Sequence, residues 1–346
     1  MSICASVHAF VIILSILVFA ITVFFSATAA SASSDGIFLS TTKNISAKFF
    51  LEVTPDKWTF SVWVIIYSWN GLWLVYSLST LFRRNKLGPV FCKPDILPIE
   101  FYIIWCCSNL FHIAWLILWD REYITVAMIF YALIPYTCYM MLAISHQNCY
   151  KHGLWLSLYS PWDLWSIRLL VHNGLAAYAT WTSITTAITF GTVLKYKAGS
   201  EDSGISTAVL CSLFYELILW FLLENLIFER YVRYTFTVYP VAILAMAGIL
   251  TKNTKFDERN TNQVFTVVLL ATSVIAFVIR FLSALCCGKF RPLYPSENPY
   301  TSNKSMKSTT HFSSVDQDVH ISSATDNTAF EEDNDQLSRV ERTIPV

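Results

Sequence analysis

Long apolar runs recur along the chain as far as residue 287, and they constrain its fold more than any other feature. Of 346 residues, 55% are hydrophobic and only 14% are charged, whereas about 25% are charged in an ordinary soluble domain. A helix of about 20 apolar residues is long enough to cross the hydrocarbon layer of a bilayer. The sequence therefore predicts an all-α polytopic membrane bundle.

Eight runs are candidate transmembrane helices, and they set the expected division of the chain. They cover residues 7–30, 59–82, 101–119, 123–145, 168–194, 205–228, 234–250 and 263–287. We expect a five-helix membrane unit over residues 1–197 and a three-helix membrane extension over 198–288. A cytoplasmic tail over 289–346 is rich in Ser, Thr, Asn and Asp, and this composition predicts disorder.

The first apolar run is compatible with two interpretations. Small residues at Ala27-Thr28-Ala29 would suit cleavage of a signal peptide. No Lys or Arg precedes the run, however, and it is longer than the apolar core of a secretory signal. An uncleaved first helix is therefore favoured over a signal peptide.

Two loops predict the orientation of the bundle. The loop after the first run contains the sequon Asn44-Ile45-Ser46, and its use would require a luminal or external position. The loop after the second run carries a basic cluster that favours the cytoplasm, formed by Arg83, Arg84, Lys86 and Lys93. We therefore expect Asn44 to be glycosylated and both termini to be cytoplasmic.

The second run is unusually rich in aromatic residues. Anchoring at the membrane interface explains Trp58 at one end and Tyr76 at the other, but it leaves Tyr67, Trp69 and Asn70 in the middle unexplained. Packing between helices is one explanation, because tryptophan fills space well. A binding site is the other.

Three motifs resemble the tryptophan-rich sensory protein and translocator protein (TspO) family over about residues 7–197. The second run reads Trp58-Thr-Phe-Ser-Val-Trp63-Val-Ile-Ile-Tyr67 after Pro55, the third reads Asn109-Leu-Phe-His-Ile-Ala-Trp115, and the fifth reads Ala177-Tyr-Ala-Thr-Trp181-Thr. The resemblance implies a five-helix bundle whose aromatic pocket receives hydrophobic ligands such as porphyrins or sterols. The paired prolines and the fifth-helix asparagine of that family are not evident here.

The expected pocket draws on three of these helices. Asn109 and His112 share a helical face, and polar groups at this depth are too costly to point at lipid. We expect one cavity for a flat or amphipathic ligand, formed by Trp63, Tyr67, Asn70, Asn109, His112, Trp115 and Trp181.

Charged residues in the last three runs form a second set of candidates. Glu216 and Glu224 recur on one face of the sixth run, and Arg280 in the eighth is their expected partner. Such residues inside a membrane are costly unless paired. A proton or substrate relay and an ion pair that fixes helix register both remain open.

Other features predict modifications and partners. Cys286 and Cys287 precede basic residues at the last boundary and are candidates for acylation. The ending Ile344-Pro345-Val346 would suit a cytosolic peptide-binding partner. A homodimer is a further expectation, and a net charge of zero gives no reason to expect nucleic acid binding.

The sequence indicates binding or transport of a hydrophobic small molecule such as a porphyrin, a sterol or another lipid. No catalytic motif is found, and we expect neither an enzyme nor a cofactor. His146, Cys149 and His152 lack a fourth ligand, so no metal site is predicted.

The alternatives are a non-transporting sensor or scaffold and a seven-helix receptor. The receptor triplet Glu229-Arg230-Tyr231 is displaced from its usual helix. The plasma membrane or an endomembrane is expected rather than the mitochondrial outer membrane.

Overall fold

A computed structural model describes residues 3–32, 36–252 and 260–287. The regular secondary structure of the described residues is helical apart from one short hairpin, β1 (Arg84–Asn85) with β2 (Gly88–Pro89). The helices are α1 (Ile3–Ala30), α2 (Thr42–Lys48), α3 (Val62–Thr80), α4 (Ile99–Asp120), α5 (Ile124–Tyr159), α6 (Pro161–Ser166), α7 (Asn173–Ala198), α8 (Asp202–Leu226), α9 (Glu229–Val232), α10 (Val238–Lys252) and α11 (Thr261–Cys287). A 3-10 helix over Lys57–Ser61 and a π-helix over Ile167–His172 complete the set.

Five of the described helices are long and apolar enough to cross a membrane. They are α1, α4, α5, α8 and α11. Helices α3 and α7 do not reach that apolarity because they are rich in Trp, Tyr, Thr and Ser, and α10 has only 15 residues. The all-helical membrane fold is therefore confirmed, but the count of eight spans is not.

Helix α7 lies at the centre of the bundle, where it contacts α3, α5, α8 and α10. Its first seven residues are all buried, and small side chains among them allow close approach. At Gly174, a Cβ atom would lie 2.9 Å from Cδ1 of Trp69 on α3. Glycine at this position therefore permits the contact between the two helices.

Helix α5 differs most from the sequence expectation, which ended the fourth transmembrane run at residue 145. The helix instead continues to Tyr159, and its last turns bury His146, Cys149 and Trp155 against the protein. Between His146 and Ser160 the sequence contains no proline and no run of turn residues. The intact helix therefore carries this stretch into the bundle.

The loops gather at the two ends of the helix bundle, which we call the Asn44 end and the Arg83 end. At the Asn44 end, the carboxylate of Asp120 accepts hydrogen bonds from the backbone of Leu39 and Ser40, each at 3.0 Å. At the Arg83 end, Arg83 forms a 2.8 Å ion pair with Asp163 of α6. These contacts fix the loops that join the long helices.

The division into a five-helix unit and a three-helix extension remains a prediction. Helices α8 and α10 both pack on α7, so the later helices adjoin the earlier ones directly.

Candidate functional site

An aromatic cluster joins α3, α4 and α7 in the middle of the bundle. Trp63 stacks on Tyr67 with 5.4 Å between ring centroids. The edge-to-face neighbours of Trp63 are His112 at 5.1 Å, Tyr178 at 6.1 Å and Trp181 at 6.5 Å. We call these five residues, together with Trp105 and Trp115, the aromatic cluster.

His112 is the hydrogen-bonding centre of the cluster. Its Nε2 atom lies 3.0 Å from the hydroxyl of Tyr67, and its Nδ1 atom lies 3.1 Å from the hydroxyl of Tyr178. A neutral imidazole has one donor and one acceptor, so one hydroxyl donates to the ring and the other accepts from it. The hydroxyl of Tyr67 also lies 2.8 Å from that of Ser26 on α1. The chain of contacts therefore spans α1, α3, α4 and α7.

Further aromatic residues extend the cluster along α4 and α5. Trp115 lies 5.4 Å from His112 and 4.6 Å from Tyr131, centroid to centroid, and Trp105 lies 6.2 Å from Tyr178. Tyr178, Tyr131 and Trp105 were not among the site residues predicted from the sequence. Tyr178 is three residues before Trp181 on α7, and that helical spacing was the available indication.

The two asparagines of the expected pocket make hydrogen bonds mainly within their own helices. Asn70 donates to the carbonyl of Ile66 at 2.8 Å and accepts from Nε1 of Trp73 at 2.7 Å. Asn109 donates to the carbonyl of Trp105 at 2.8 Å. Both side chains are buried, but these bonds link neither of them to His112.

Several buried indole groups of the cluster have no hydrogen-bond partner in the described part of the chain. They are the Nε1 atoms of Trp105, Trp115 and Trp181. Two other indoles do have partners. Nε1 of Trp69 donates to the carbonyl of Leu169, and Nε1 of Trp58 donates to the hydroxyl of Thr251. A buried donor without a partner costs about 1–3 kcal/mol. The cluster therefore holds donors that an incoming acceptor would satisfy.

The charged residues of the later helices divide into two environments. Glu224 forms a buried ion pair with Arg280 and accepts a 2.8 Å hydrogen bond from the hydroxyl of Tyr239. The guanidinium of Arg280 also donates a 3.0 Å hydrogen bond to the carbonyl of Val232. Glu216 is exposed on α8 and is not part of this pair. Eight residues separate the two carboxylates by about 12 Å and roughly 80° around the helix, so a single guanidinium does not meet both.

The expected modification sites have mixed positions. Asn44 is exposed on α2 and Cys286 is exposed on α11. The side chain of Cys287, the tail over residues 289–346 and the ending Ile344-Pro345-Val346 lie outside the described residues. Glycosylation and acylation stay predictions.

Comparison with known proteins identifies the family. A family model described as TSPO-like protein matches residues 11–282. No curated protein and no solved structure matches the chain significantly. The match continues past residue 197, so it includes the helices that were expected to form an extension beyond the family. Together with the five long apolar helices, the match identifies a multi-pass integral membrane protein that belongs to the TSPO-like family.

Proposed function

We propose that the protein binds a flat, amphipathic small molecule at the aromatic cluster. The observation that carries this proposal is the set of unpartnered indole donors around His112. Aromatic rings supply an apolar surface for a ligand such as a porphyrin or a sterol, and fixed polar groups orient it. Binding is the proposed activity, and transport remains a further prediction from the family resemblance.

 Trp63 and Tyr67 are half-buried, whereas His112, Tyr178 and Trp181 are buried. The cluster therefore has an accessible edge on α3 and a closed interior on α4 and α7. A ligand that stacks on Trp63 would reach the interior donors once the rings separate.

The alternative function is a membrane sensor or scaffold in which the aromatic rings serve only to pack helices. Ring-to-ring contacts of this kind are worth about 0.5–1.5 kcal/mol each without any ligand. Packing alone leaves the Nε1 donors of Trp105, Trp115 and Trp181 without hydrogen-bond partners. A bound ligand with acceptor atoms would supply such partners. The plasma membrane or an endomembrane is the proposed location for either function.

The first test is to extract bound small molecules from the purified protein and to identify them by mass spectrometry. Protoporphyrin IX is then titrated while tryptophan fluorescence is followed. We expect saturable quenching that Trp63→Ala weakens about tenfold, which corresponds to about 1.4 kcal/mol. Trp162 is 75% exposed on α6, so Trp162→Ala is the matched control and should bind normally. If Trp63→Ala and Trp162→Ala bind protoporphyrin IX with equal affinity, the aromatic rings serve only to pack helices.

A further inference from the structure

A polar cavity lies at the Arg83 end, between α5, the π-helix, α9 and the segment that follows α9. Its volume is about 20 Å³, and a cavity needs roughly 10–15 Å³ to hold one water-sized group. Two arginines, Arg168 and Arg230, and two histidines, His146 and His172, are among its lining residues, and none of the lining residues is acidic. The cavity is therefore suited to a negatively charged group.

The π-helix brings two of these residues into the interior. Arg168 and His172 lie at its second and last positions and are both buried. The guanidinium of Arg168 lies 4.2 Å from the ring centroid of Tyr234 and 5.1 Å from that of Trp165. This cation–π contact holds the guanidinium beside the cavity.

The histidines form a close pair next to the arginine. The ring centroids of His146 and His172 are 3.8 Å apart, and Nε2 of His172 lies 2.9 Å from the hydroxyl of Ser145. No group of three His, Cys, Asp or Glu residues in the described ranges is arranged to hold a metal ion. The positive charge of Arg168, which lines the same cavity, opposes a cation beside the pair and favours an anion.

Two buried polar atoms of lining residues lack hydrogen-bond partners among the described residues. They are Nδ1 of His146 and Oγ1 of Thr235, in side chains that are 6% and 4% exposed. Leaving such groups unsatisfied costs free energy. The nearby carboxylate of Glu229 already forms a 2.7 Å ion pair with Arg233. A ligand would satisfy the two orphaned atoms without competing with that pair.

We propose that this cavity binds a phosphate group. Guanidinium groups recognise phosphate oxygens through charge-assisted hydrogen bonds, and the two orphaned atoms would contact an oxygen that enters the cavity. The enclosed volume admits only part of a phosphate group, while exposed Arg230 and Tyr231 flank its opening. Both a phospholipid headgroup and free phosphate fit this chemistry. The loop with Arg83 places the cavity on the predicted cytoplasmic side, where anionic lipids are concentrated.

The test is native mass spectrometry of the full-length protein with dioleoyl phosphatidic acid, with and without inorganic phosphate. We expect Arg230→Gln to weaken phosphatidic acid binding at least tenfold and Thr235→Val to weaken it several-fold. Arg84 is exposed at the same end, so Arg84→Gln is the matched control and should bind normally. Competition by millimolar inorganic phosphate would identify free phosphate as a ligand, and its absence would identify the lipid headgroup.

Thermal unfolding of each variant without added ligand separates binding from folding. Thr235→Val should unfold at the same temperature as the unchanged protein, because it removes a hydroxyl that has no partner among the described residues. Equal phosphatidic acid affinity in Arg230→Gln, Thr235→Val and Arg84→Gln would overturn the proposal. That result would mean that any binding reflects general surface charge.

Discussion

Two regions of the bundle bury polar groups, and they differ in how those groups are paired. Around Glu224 and Arg280, the carboxylate pairs with the guanidinium, the hydroxyl of Tyr239 donates to the carboxylate and the guanidinium donates to the carbonyl of Val232, although Nη1 of Arg280 has no hydrogen-bond partner among the described residues. In the aromatic cluster, the hydrogen bonds of His112 are made, but neighbouring indole donors such as Nε1 of Trp181 have no partner in the described chain.

The difference suits a structural role for the ion pair and the proposed binding role for the aromatic cluster. A buried ion pair with further hydrogen bonds holds α8, α10 and α11 in register, and opening it would leave charges without partners. The aromatic cluster has a half-buried edge at Trp63 and unused donors inside, so a ligand would add contacts there. The comparison therefore favours an ion pair that fixes helix register, rather than a proton relay, as the role of Glu224 and Arg280.

The largest expected effect comes from breaking the ion pair. Arg280→Leu leaves the carboxylate of Glu224 buried without its guanidinium, and removal of one partner of such a pair costs about 3–5 kcal/mol. The free energy of unfolding in detergent, followed by helical circular dichroism, measures the loss. Ligand binding at the aromatic cluster should survive wherever the variant remains folded.

The double variant Glu224→Gln with Arg280→Leu sharpens this result. It removes both charges, so we expect it to be more stable than Arg280→Leu alone. Glu216→Gln is the control for loss of a carboxylate on the same helix and should change stability little, because that side chain is exposed. Simple additivity of the two single effects would contradict a direct interaction between Glu224 and Arg280.

A smaller effect is expected from Asn109→Leu at the aromatic cluster. The substitution removes a hydrogen bond to the carbonyl of Trp105 and alters the packing beside that indole. We expect protoporphyrin IX affinity to fall several-fold while helix content stays the same, as measured by fluorescence quenching and circular dichroism. Ser212 on α8 makes a comparable side-chain bond to the carbonyl of Val209, so Ser212→Ala is a control that should bind normally.

The smallest effect is expected from Tyr67→Phe. It removes the hydroxyl that contacts both His112 and Ser26 but keeps the ring that stacks on Trp63. A typical hydrogen bond contributes about 0.5–1.5 kcal/mol to stability, so the loss should be well below that of Arg280→Leu. Tyr136 is 66% exposed, and Tyr136→Phe should leave the unfolding free energy unchanged. A larger loss in Tyr67→Phe than in Arg280→Leu would reverse the comparison.

The long apolar runs predicted the helices well because hydrophobic length is a local property. The run over residues 101–119 corresponds to α4 at Ile99–Asp120, and the run over 263–287 corresponds to α11 at Thr261–Cys287. The end of α5 and the π-helix over Ile167–His172 were not predicted. Both depend on packing against distant parts of the chain, such as the contact of Tyr150 with Tyr231.

The candidate site was predicted in part. Helical spacing, aromatic content and the resemblance to the TspO family selected Trp63, Tyr67, His112, Trp115 and Trp181. The structure brings their side chains together. The contribution of Tyr178 depends on which face of α7 meets α4, and a single sequence does not contain that information. The partner of Arg280 was ambiguous for the same reason, because the relative depth of α8 and α11 decides between the two carboxylates.

The most direct test of the central claim is a measurement of the indole N–H groups themselves. In ¹⁵N-indole-labelled protein, the signals of the 12 tryptophans are assigned by single Trp→Phe substitutions and followed during titration with protoporphyrin IX. If the ligand binds at the aromatic cluster, the signals of Trp63, Trp115 and Trp181 will shift together and saturate, while those of Trp58 and Trp162 stay in place. Shifts confined to exposed tryptophans, or no saturable shift at Trp115 and Trp181, would contradict a binding site at the aromatic cluster.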